Sequence, residues 1–170
     1  ILILGGSQGA MVINDVVVSG LLALSQKLNI IHQCGDGQYD SVKATTDTMA
    51  VQNYRLYSFL DENQLSLGYA LADVIVSRAG GLLFEIAQVG KPAIVIPILN
   101  SPGNHQYLNA SEFSSYGGRL IEEPEFDQGR LISTLENILN PDNYIKISES
   151  IKKFATPEAA DKIAEELLRK

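Results

Sequence analysis

The chain has 170 residues, a formal net charge of −7 and one cysteine; 45% of its residues are apolar and 19% are charged. This length fits a single domain with a substantial core, and the acidic balance argues against nucleic acid as a partner. The lone cysteine, Cys34, excludes an internal disulfide bond and fits a reducing compartment such as the cytoplasm.

Short apolar runs alternate with helical patterns along the chain. Six runs are rich in Ile and Val and continuous, which is typical of strands buried on both faces of a parallel sheet. The predicted strands span residues 1–4, 29–34, 54–59, 74–77, 93–97 and 119–121. The predicted helices span residues 11–28, 38–49, 64–72, 83–89, 106–116, 127–139, 144–154 and 157–169. We therefore predict one α/β domain over residues 1–170, a doubly wound parallel sheet of Rossmann-like type.

The two ends of this pattern carry further expectations. The first predicted strand starts at Ile1, and because a natural domain rarely begins inside a central strand, we expect a segment to precede this chain. Thr156 and Pro157 predict the start of the last helix, since threonine is a good N-cap and proline suits the first helical position. The longest apolar run, residues 93–99, is too short to cross a bilayer and contains Pro97.

Two glycine-rich turns each follow a predicted strand and precede a predicted helix: Gly5-Gly6-Ser7-Gln8-Gly9-Ala10 and Ser77-Arg78-Ala79-Gly80-Gly81. Unpaired backbone N–H groups in such a turn, together with the helix dipole, favour a bound anion. The first turn is neither a Walker A loop nor a Gly-x-Gly-x-x-Gly motif, so a phosphate site and an ordinary tight turn are equally good interpretations of it. Both turns lie at the carboxyl ends of strands, where doubly wound sheets bind their ligands.

Polar side chains close to these turns each have two interpretations. Glu85 can accept hydrogen bonds from the cis-diol of a ribose, but stabilisation of a first helical turn is the commoner role. Arg78 either neutralises phosphate charge or pairs with an internal carboxylate. His105, Gln106 and Asn109 share one helical face and either bind sugar hydroxyls or serve as ordinary polar residues at a helix start.

The sequence supports neither metal chemistry nor nucleophilic catalysis. Two histidines and one cysteine form no convincing metal cluster, and no Ser/His/Asp triad can be assembled. His32 falls inside a predicted strand, where a histidine with its hydrogen bonds satisfied is the favoured interpretation.

The ordered set of motifs resembles the C-terminal half of the MurG family of bacterial glycosyltransferases. Members of that family add N-acetylglucosamine (GlcNAc) to lipid I and so make lipid II for peptidoglycan. The resemblance runs over nearly the whole chain and includes His32-Gln33-Cys34-Gly35 and Phe59-Leu60-Asp61. Two features depart from the family pattern: the segment between Gly80 and Glu85 is one residue shorter, and His105 stands where some members carry glutamine.

The resemblance implies the donor-binding half of a two-domain GT-B glycosyltransferase. In that family this half binds UDP-GlcNAc as donor substrate, with no metal ion or other cofactor. The other half, absent from this chain, binds lipid I, carries the proposed catalytic base and sits on the membrane. The whole enzyme is then expected at the cytoplasmic face of the cell membrane, and this chain alone is expected to hold no catalytic residue and to be inactive.

The resemblance also assigns donor contacts to individual positions. The first glycine turn would bind the diphosphate, the Leu60 backbone the uracil edge and Glu85 the ribose hydroxyls. The backbone of the second turn would lie by the diphosphate and sugar, and the polar face at the start of the fifth helix would bind the GlcNAc hydroxyls. The implied donor-site residues are Gly6, Ser7, Gln8, Gly9, Leu60, Arg78, Gly80, Gly81, Glu85, His105, Gln106 and Asn109.

Two other functions stay open on the sequence. One is a non-catalytic nucleotide-sugar-binding subunit that works only with a separate membrane partner. The other is a GT-B relative that uses another UDP-sugar, since the loop over residues 100–109 would decide the choice of sugar.

Overall fold

A computed structural model of the chain describes every residue except Ser7, Asn100 and Lys170. Its strands form one parallel sheet in the order β3-β2-β1-β4-β5-β6, the order of a doubly wound nucleotide-binding fold. The strands are β1 (Leu2–Leu4), β2 (Ile30–Gln33), β3 (Tyr54–Tyr57), β4 (Ile75–Ser77), β5 (Ala93–Val95) and β6 (Arg119–Leu120). The predicted fold class is therefore confirmed.

Eight helices connect and cover these strands within the described part of the chain. They are α1 (Met11–Ser25), α2 (Tyr39–Asp47), α3 (Glu62–Leu71), α4 (Leu82–Val89), α5 (His105–Ser115), α6 (Gln128–Leu139), α7 (Pro141–Ile151) and α8 (Ala159–Leu168). Single 3₁₀ turns lie at Asp36–Gln38, Pro102–Asn104, Glu123–Glu125 and Lys152–Phe154. Of the helices that the structure describes, none is both long enough and apolar enough to cross a membrane.

The core lies where the helices cover the central strands. Every residue of β1, β4 and β5 is buried, which explains why these strands read as continuous apolar runs. In register, Ile3 of β1 stands between His32 of β2 and Val76 of β4. The sheet is thus buried on both faces, and only its ends and edges meet solvent.

Helix starts follow capping chemistry that the apolar pattern does not show. Helix α3 begins before the predicted residue 64, because Asp61 and Gln64 form a reciprocal capping box. The prediction that Thr156 caps the last helix is wrong: α8 begins at Ala159, and Glu158 at the N-cap makes no side-chain cap. Instead, the Thr156 carbonyl accepts a hydrogen bond from the Ala159 N–H at 3.1 Å, as part of a turn that precedes the helix.

An aromatic cluster joins the C-terminal segment to helices α4 and α5. The Phe154 ring stacks on Phe84 of α4 at a centroid distance of 5.2 Å and meets Phe113 of α5 edge-on at 5.3 Å. Tyr116 contacts the same ring edge-on at 5.5 Å. In addition, the Ser148 hydroxyl of α7 donates a hydrogen bond to the Gly90 carbonyl, where α4 ends. Helices α4 and α5 are therefore both held by the C-terminal segment.

Candidate functional site

The two glycine turns lie side by side at the centre of the sheet. Strands β1 and β4 are neighbours, and Leu4, the last residue of β1, is in register with Ser77, the last residue of β4. From β1 the chain proceeds to β2 and β3 on one side, and from β4 to β5 and β6 on the other. This reversal opens a crevice between the carboxyl ends of the two strands, the usual ligand position in such sheets.

The first turn requires glycine at two positions for different reasons. Gly6 and Gly9 both have positive φ, +76° and +79°. A Cβ atom on Gly9 would lie 2.5 Å from the Cys34 carbonyl oxygen, whereas on Gly6 it would meet no described heavy atom within 4 Å. Gly6 therefore borders open space while Gly9 is pressed against the end of β2. Gln8 is exposed between them, and the predicted contact of Ser7 lies outside the described residues.

A buried hydrogen-bonded chain lies beneath this turn. The Asn14 amide donates from Nδ2 to the Cys34 carbonyl at 2.9 Å and to Gln38 Oε1 at 3.2 Å. Asn14 Oδ1 then accepts from His32 Nε2 at 3.0 Å, so His32 Nδ1 accepts from the Tyr54 hydroxyl at 2.9 Å. Burial lowers the pKa of His32 to about 3, which keeps the ring neutral. The prediction that His32 is structural is confirmed, and the network fixes β2 under the turn.

The second turn leaves open space at the start of α4. At Gly80 and Gly81 an added Cβ atom would have no described heavy atom within 4 Å. Gly81 occupies the N-cap of α4 and offers no side-chain cap to the first N–H groups of the helix. These N–H groups and the helix dipole give the start of α4 a partial positive charge, which favours a bound anion.

Glu85 follows the second glycine turn, and it has a partner that the sequence did not reveal. Its side chain is exposed in the first turn of α4, and its Oε2 accepts a hydrogen bond from the Tyr69 hydroxyl of α3 at 3.1 Å. Burial, and next the charge of Glu85, raise the pKa of Tyr69 above its ordinary value, so the phenol stays a donor. No sequence pattern links the two positions.

Leu60 lies between β3 and α3. Its backbone N–H donates to Gln33 Oε1 at 3.0 Å, and its side chain is buried. The Leu60 N–H is therefore engaged within the protein, and a contact of the Leu60 backbone with a uracil edge stays a prediction. Gln33 belongs to the His32-Gln33-Cys34-Gly35 motif, and its contact with Leu60 connects the ends of β2 and β3.

Helix α5 brings three predicted sugar ligands over the ends of β4 and β5. Asn109 Nδ2 donates to the Ala79 carbonyl at 3.3 Å, and Gln106 Oε1 accepts from the Ile98 N–H at 3.1 Å. His105 Nδ1 lies 2.5 Å from the Pro102 carbonyl and donates a hydrogen bond to it. In this arrangement Gln106 can offer a sugar its amino group, and His105 can offer its second ring nitrogen, Nε2.

Arg78 is held by protein groups. Its Nη1 forms an ion pair with Glu123 Oε1 at 2.6 Å and donates to the Ile96 carbonyl at 3.1 Å. Among the described residues Arg78 Nε is buried without a hydrogen-bond partner. The structure thus shows the internal carboxylate that the sequence left as one of two alternatives, and a phosphate contact of Arg78 stays a prediction.

An apolar cavity of about 490 Å³ lies at the far end of α1 from the first glycine turn, against α6, and is lined by Leu24, Leu28 and Leu135. Within residues 1–6, 8–99 and 101–169, no three His, Cys, Asp or Glu side chains come together as a metal site.

Comparison with known proteins identifies similar chains. Residues 1–166 match the glycosyltransferase family 28 C-terminal domain. The chain is 30% identical, over 99% of its length and 47% of the relative, to the UDP-N-acetylglucosamine–N-acetylmuramyl-(pentapeptide) pyrophosphoryl-undecaprenol N-acetylglucosamine transferase of Histophilus somni. It is 35% identical, over 99% of its length and 46% of the relative, to the enzyme of the same name from Flavobacterium psychrophilum.

A solved structure has a similar fold. The crystal structure of MurG from Acinetobacter baumannii superposes with a TM-score of 0.84 at 27% identity, covering 96% of this chain and 48% of that one. The chain therefore spans about half the length of the relatives that it matches.

Proposed function

Because the chain belongs to the glycosyltransferase family 28 C-terminal domain family, we propose that it is the donor-binding half of a MurG-type N-acetylglucosaminyltransferase. The donor is UDP-GlcNAc, the acceptor is lipid I and the product is lipid II of peptidoglycan synthesis. The observation that carries the proposal is the pairing of two glycine turns at the register-matched ends of β1 and β4, with open space over Gly6, Gly80 and Gly81.

The diphosphate of the donor lies in this crevice in the proposed complex. Backbone N–H groups of both turns and the N-termini of α1 and α4 supply the compensating positive charge. These donors are fixed before the ligand arrives, so they stabilise charge that develops on the leaving UDP without reorganising. No divalent ion is needed in this arrangement, and no other cofactor takes part.

The reaction is a direct displacement that inverts the anomeric centre. The hydroxyl oxygen of lipid I attacks the anomeric carbon, the bond from that carbon to the diphosphate breaks, and UDP leaves with the electron pair. The hydroxyl proton goes to a base. We place that base, the lipid site and the membrane-facing surface in the half of the relatives that this chain does not cover, at the cytoplasmic face of the membrane.

The remaining donor contacts follow from the same placement. The Leu60 carbonyl faces the uracil, Glu85 accepts from the ribose hydroxyls, and Gln106 and Asn109 with His105 face the GlcNAc ring. The polar anchors of α5 on Ala79 and Ile98 support this assignment, because they fix the helix beside the second turn.

Calorimetric titration of the 170-residue chain with UDP-GlcNAc, UDP-GalNAc, UDP-glucose and GDP-mannose tests the proposal. We expect UDP-GlcNAc to bind most tightly, and equally well in EDTA and in magnesium. Preference for another UDP-sugar would assign a different transferase, and dependence on magnesium would contradict the proposed charge stabilisation.

A matched pair of glycine variants locates the site. Gly80→Leu places a side chain in the open space of the crevice, whereas Gly129→Leu adds the same side chain on α6 beside a different cavity. We expect Gly80→Leu to abolish binding of UDP and Gly129→Leu to leave it unchanged, at similar thermal stability. Equal binding by both variants would place the nucleotide elsewhere.

Transfer of labelled GlcNAc to a lipid I analogue tests the division of labour. We expect no turnover by this chain alone and turnover by a protein that joins it to the other half of a MurG relative. Equal turnover by the chain alone would show that the base lies within these residues. Turnover that requires instead a separate membrane protein would identify a two-subunit transferase.

A further inference from the structure

The hydroxyl of Tyr69 and the carboxylate of Glu85 form a contact that joins α3 to α4. The donor is almost fully buried, since Tyr69 is 7% exposed, whereas the acceptor carboxylate is exposed. The contact borders a groove of about 280 Å³ between the two helices, lined also by Glu62, Leu65 and Val89. The largely buried Tyr69 thus donates a hydrogen bond to the exposed carboxylate of Glu85.

Two features fix the position of α3 and therefore of the Tyr69 hydroxyl. The capping box of Asp61 and Gln64 fixes the start of α3. Close packing at Gly68 fixes its second half, because a Cβ atom there would lie 3.3 Å from two side-chain atoms of Leu2 on the central strand. The hydroxyl therefore projects from a rigid part of the core.

We propose that Tyr69 is a positioning residue that holds the Glu85 carboxylate ready to accept the ribose hydroxyls of a nucleoside diphosphate. The inference rests on the proposed function, because it presumes that Glu85 binds ribose. It adds a residue from a different helix, and it gives the Tyr69 hydroxyl a role in ligand binding besides its own burial.

The chemistry favours such a role. An exposed glutamate samples several rotamers, and fixing it at the moment of binding costs affinity. A hydrogen bond from Tyr69 to Oε2 fixes the side chain beforehand. It leaves Oε1 and the second lone pair of Oε2 as acceptors for the two hydroxyls of the diol, since each carboxylate oxygen accepts two hydrogen bonds.

Tyr69→Phe tests the inference because it removes only the hydroxyl. Affinities are measured by calorimetry for UDP and for 2′,3′-dideoxy-UDP, which lacks both ribose hydroxyls. We expect Tyr69→Phe to weaken UDP binding about three- to tenfold, the equivalent of one ordinary hydrogen bond, and to leave the dideoxy ligand unaffected. Tyr144→Phe on α7, which also removes a tyrosine hydroxyl, should change neither affinity.

A cycle with Glu85→Ala separates the possible failures. In the Glu85→Ala background, Tyr69→Phe should have no further effect on UDP. If Glu85→Ala itself leaves UDP affinity unchanged, the ribose assignment fails and the role of Tyr69 fails with it. If Glu85→Ala weakens UDP but Tyr69→Phe does not, or weakens both ligands equally, then Tyr69 is only structural and the ribose assignment survives.

Discussion

Glycines at the crevice differ in whether a side chain would fit, although they are indistinguishable in the sequence. Gly6 and Gly9 share a positive φ, but only Gly9 is pressed against another part of the backbone. The same contact appears from the other side at Gly35, where a Cβ atom would meet the Gly9 backbone nitrogen. Close approach of the two backbones brings the end of β2 under the first turn and shapes its floor.

Gly9→Ala is therefore expected to destabilise the protein more than Gly6→Ala. At Gly6 an alanine incurs only the left-handed backbone strain, about 1–2 kcal/mol. At Gly9 it adds a clash with the Cys34 carbonyl, for a total of about 3 kcal/mol or more. Urea denaturation of both variants measures the difference, and equal losses would show that the two backbones do not touch.

At the scale of secondary structure, the apolar pattern predicted every strand of the described sheet. Strands such as β1, β4 and β5 are buried on both faces, so their signal is strong. Helix boundaries were less predictable, because caps decide them. Asp61 starts α3 and Asn140 caps α7 through the Asp142 N–H, each earlier than the apolar periodicity indicated.

The candidate site was predictable in part. Both glycine turns and Glu85 stand where a doubly wound sheet puts them, since topology alone brings the carboxyl ends of β1 and β4 together. Side-chain partners were not predictable, because they depend on how separate helices pack. Tyr69 and Glu123 are examples, whereas Asn14 left a signal as a polar residue on the apolar face of α1.

Loss of the α3 cap should affect ligand binding as well as stability. Asp61→Ala removes the acceptor for the Gln64 N–H and is expected to cost about 1 kcal/mol of unfolding free energy. Asp127→Ala removes a comparable cap, the acceptor for the Arg130 N–H on α6. Because Leu60 directly precedes Asp61, only Asp61→Ala should also weaken UDP binding. Equal UDP affinities for the two variants would separate the α3 start from the nucleotide site.

At the scale of the whole molecule, the network around His32 connects the core to the first glycine turn. The histidine is buried, neutral and hydrogen-bonded on both ring nitrogens, and the network reaches the floor of the first turn through Asn14. A proton on His32 requires either a charge in the core or unfolding. The molecule as a whole therefore has a built-in sensitivity to acid.

This sensitivity has a definite sign and range. The pKa of His32 is about 3 in the folded chain and about 6.5 when unfolded, so the unfolded chain binds more protons between these values. Stability is fully present above about pH 6.5 and falls as pH drops toward 3. We expect this group to remove about 2 kcal/mol between pH 7 and pH 5.

Urea denaturation of the parent and of His32→Gln at pH 7, 6 and 5 tests this expectation. Contributions of the carboxylates appear in both proteins and cancel in the comparison. The variant should be less stable at pH 7 but lose less stability toward pH 5. Parallel pH curves would mean that His32 has the same pKa in the folded and the unfolded chain.

The contacts of the Phe154 ring decide which parts of the domain unfold first. Since this ring touches α4 and α5, which carry the proposed ribose and sugar contacts, release of the C-terminal segment is expected to free both helices together. We expect native-state hydrogen exchange to show residues of α4, α5 and the 3₁₀ turn Lys152–Phe154 exchanging as one cooperative unit, while β1 and β4 stay protected. On warming, the affinity for the donor would then fall at temperatures where the sheet is still folded, so that the domain releases its ligand before it unfolds.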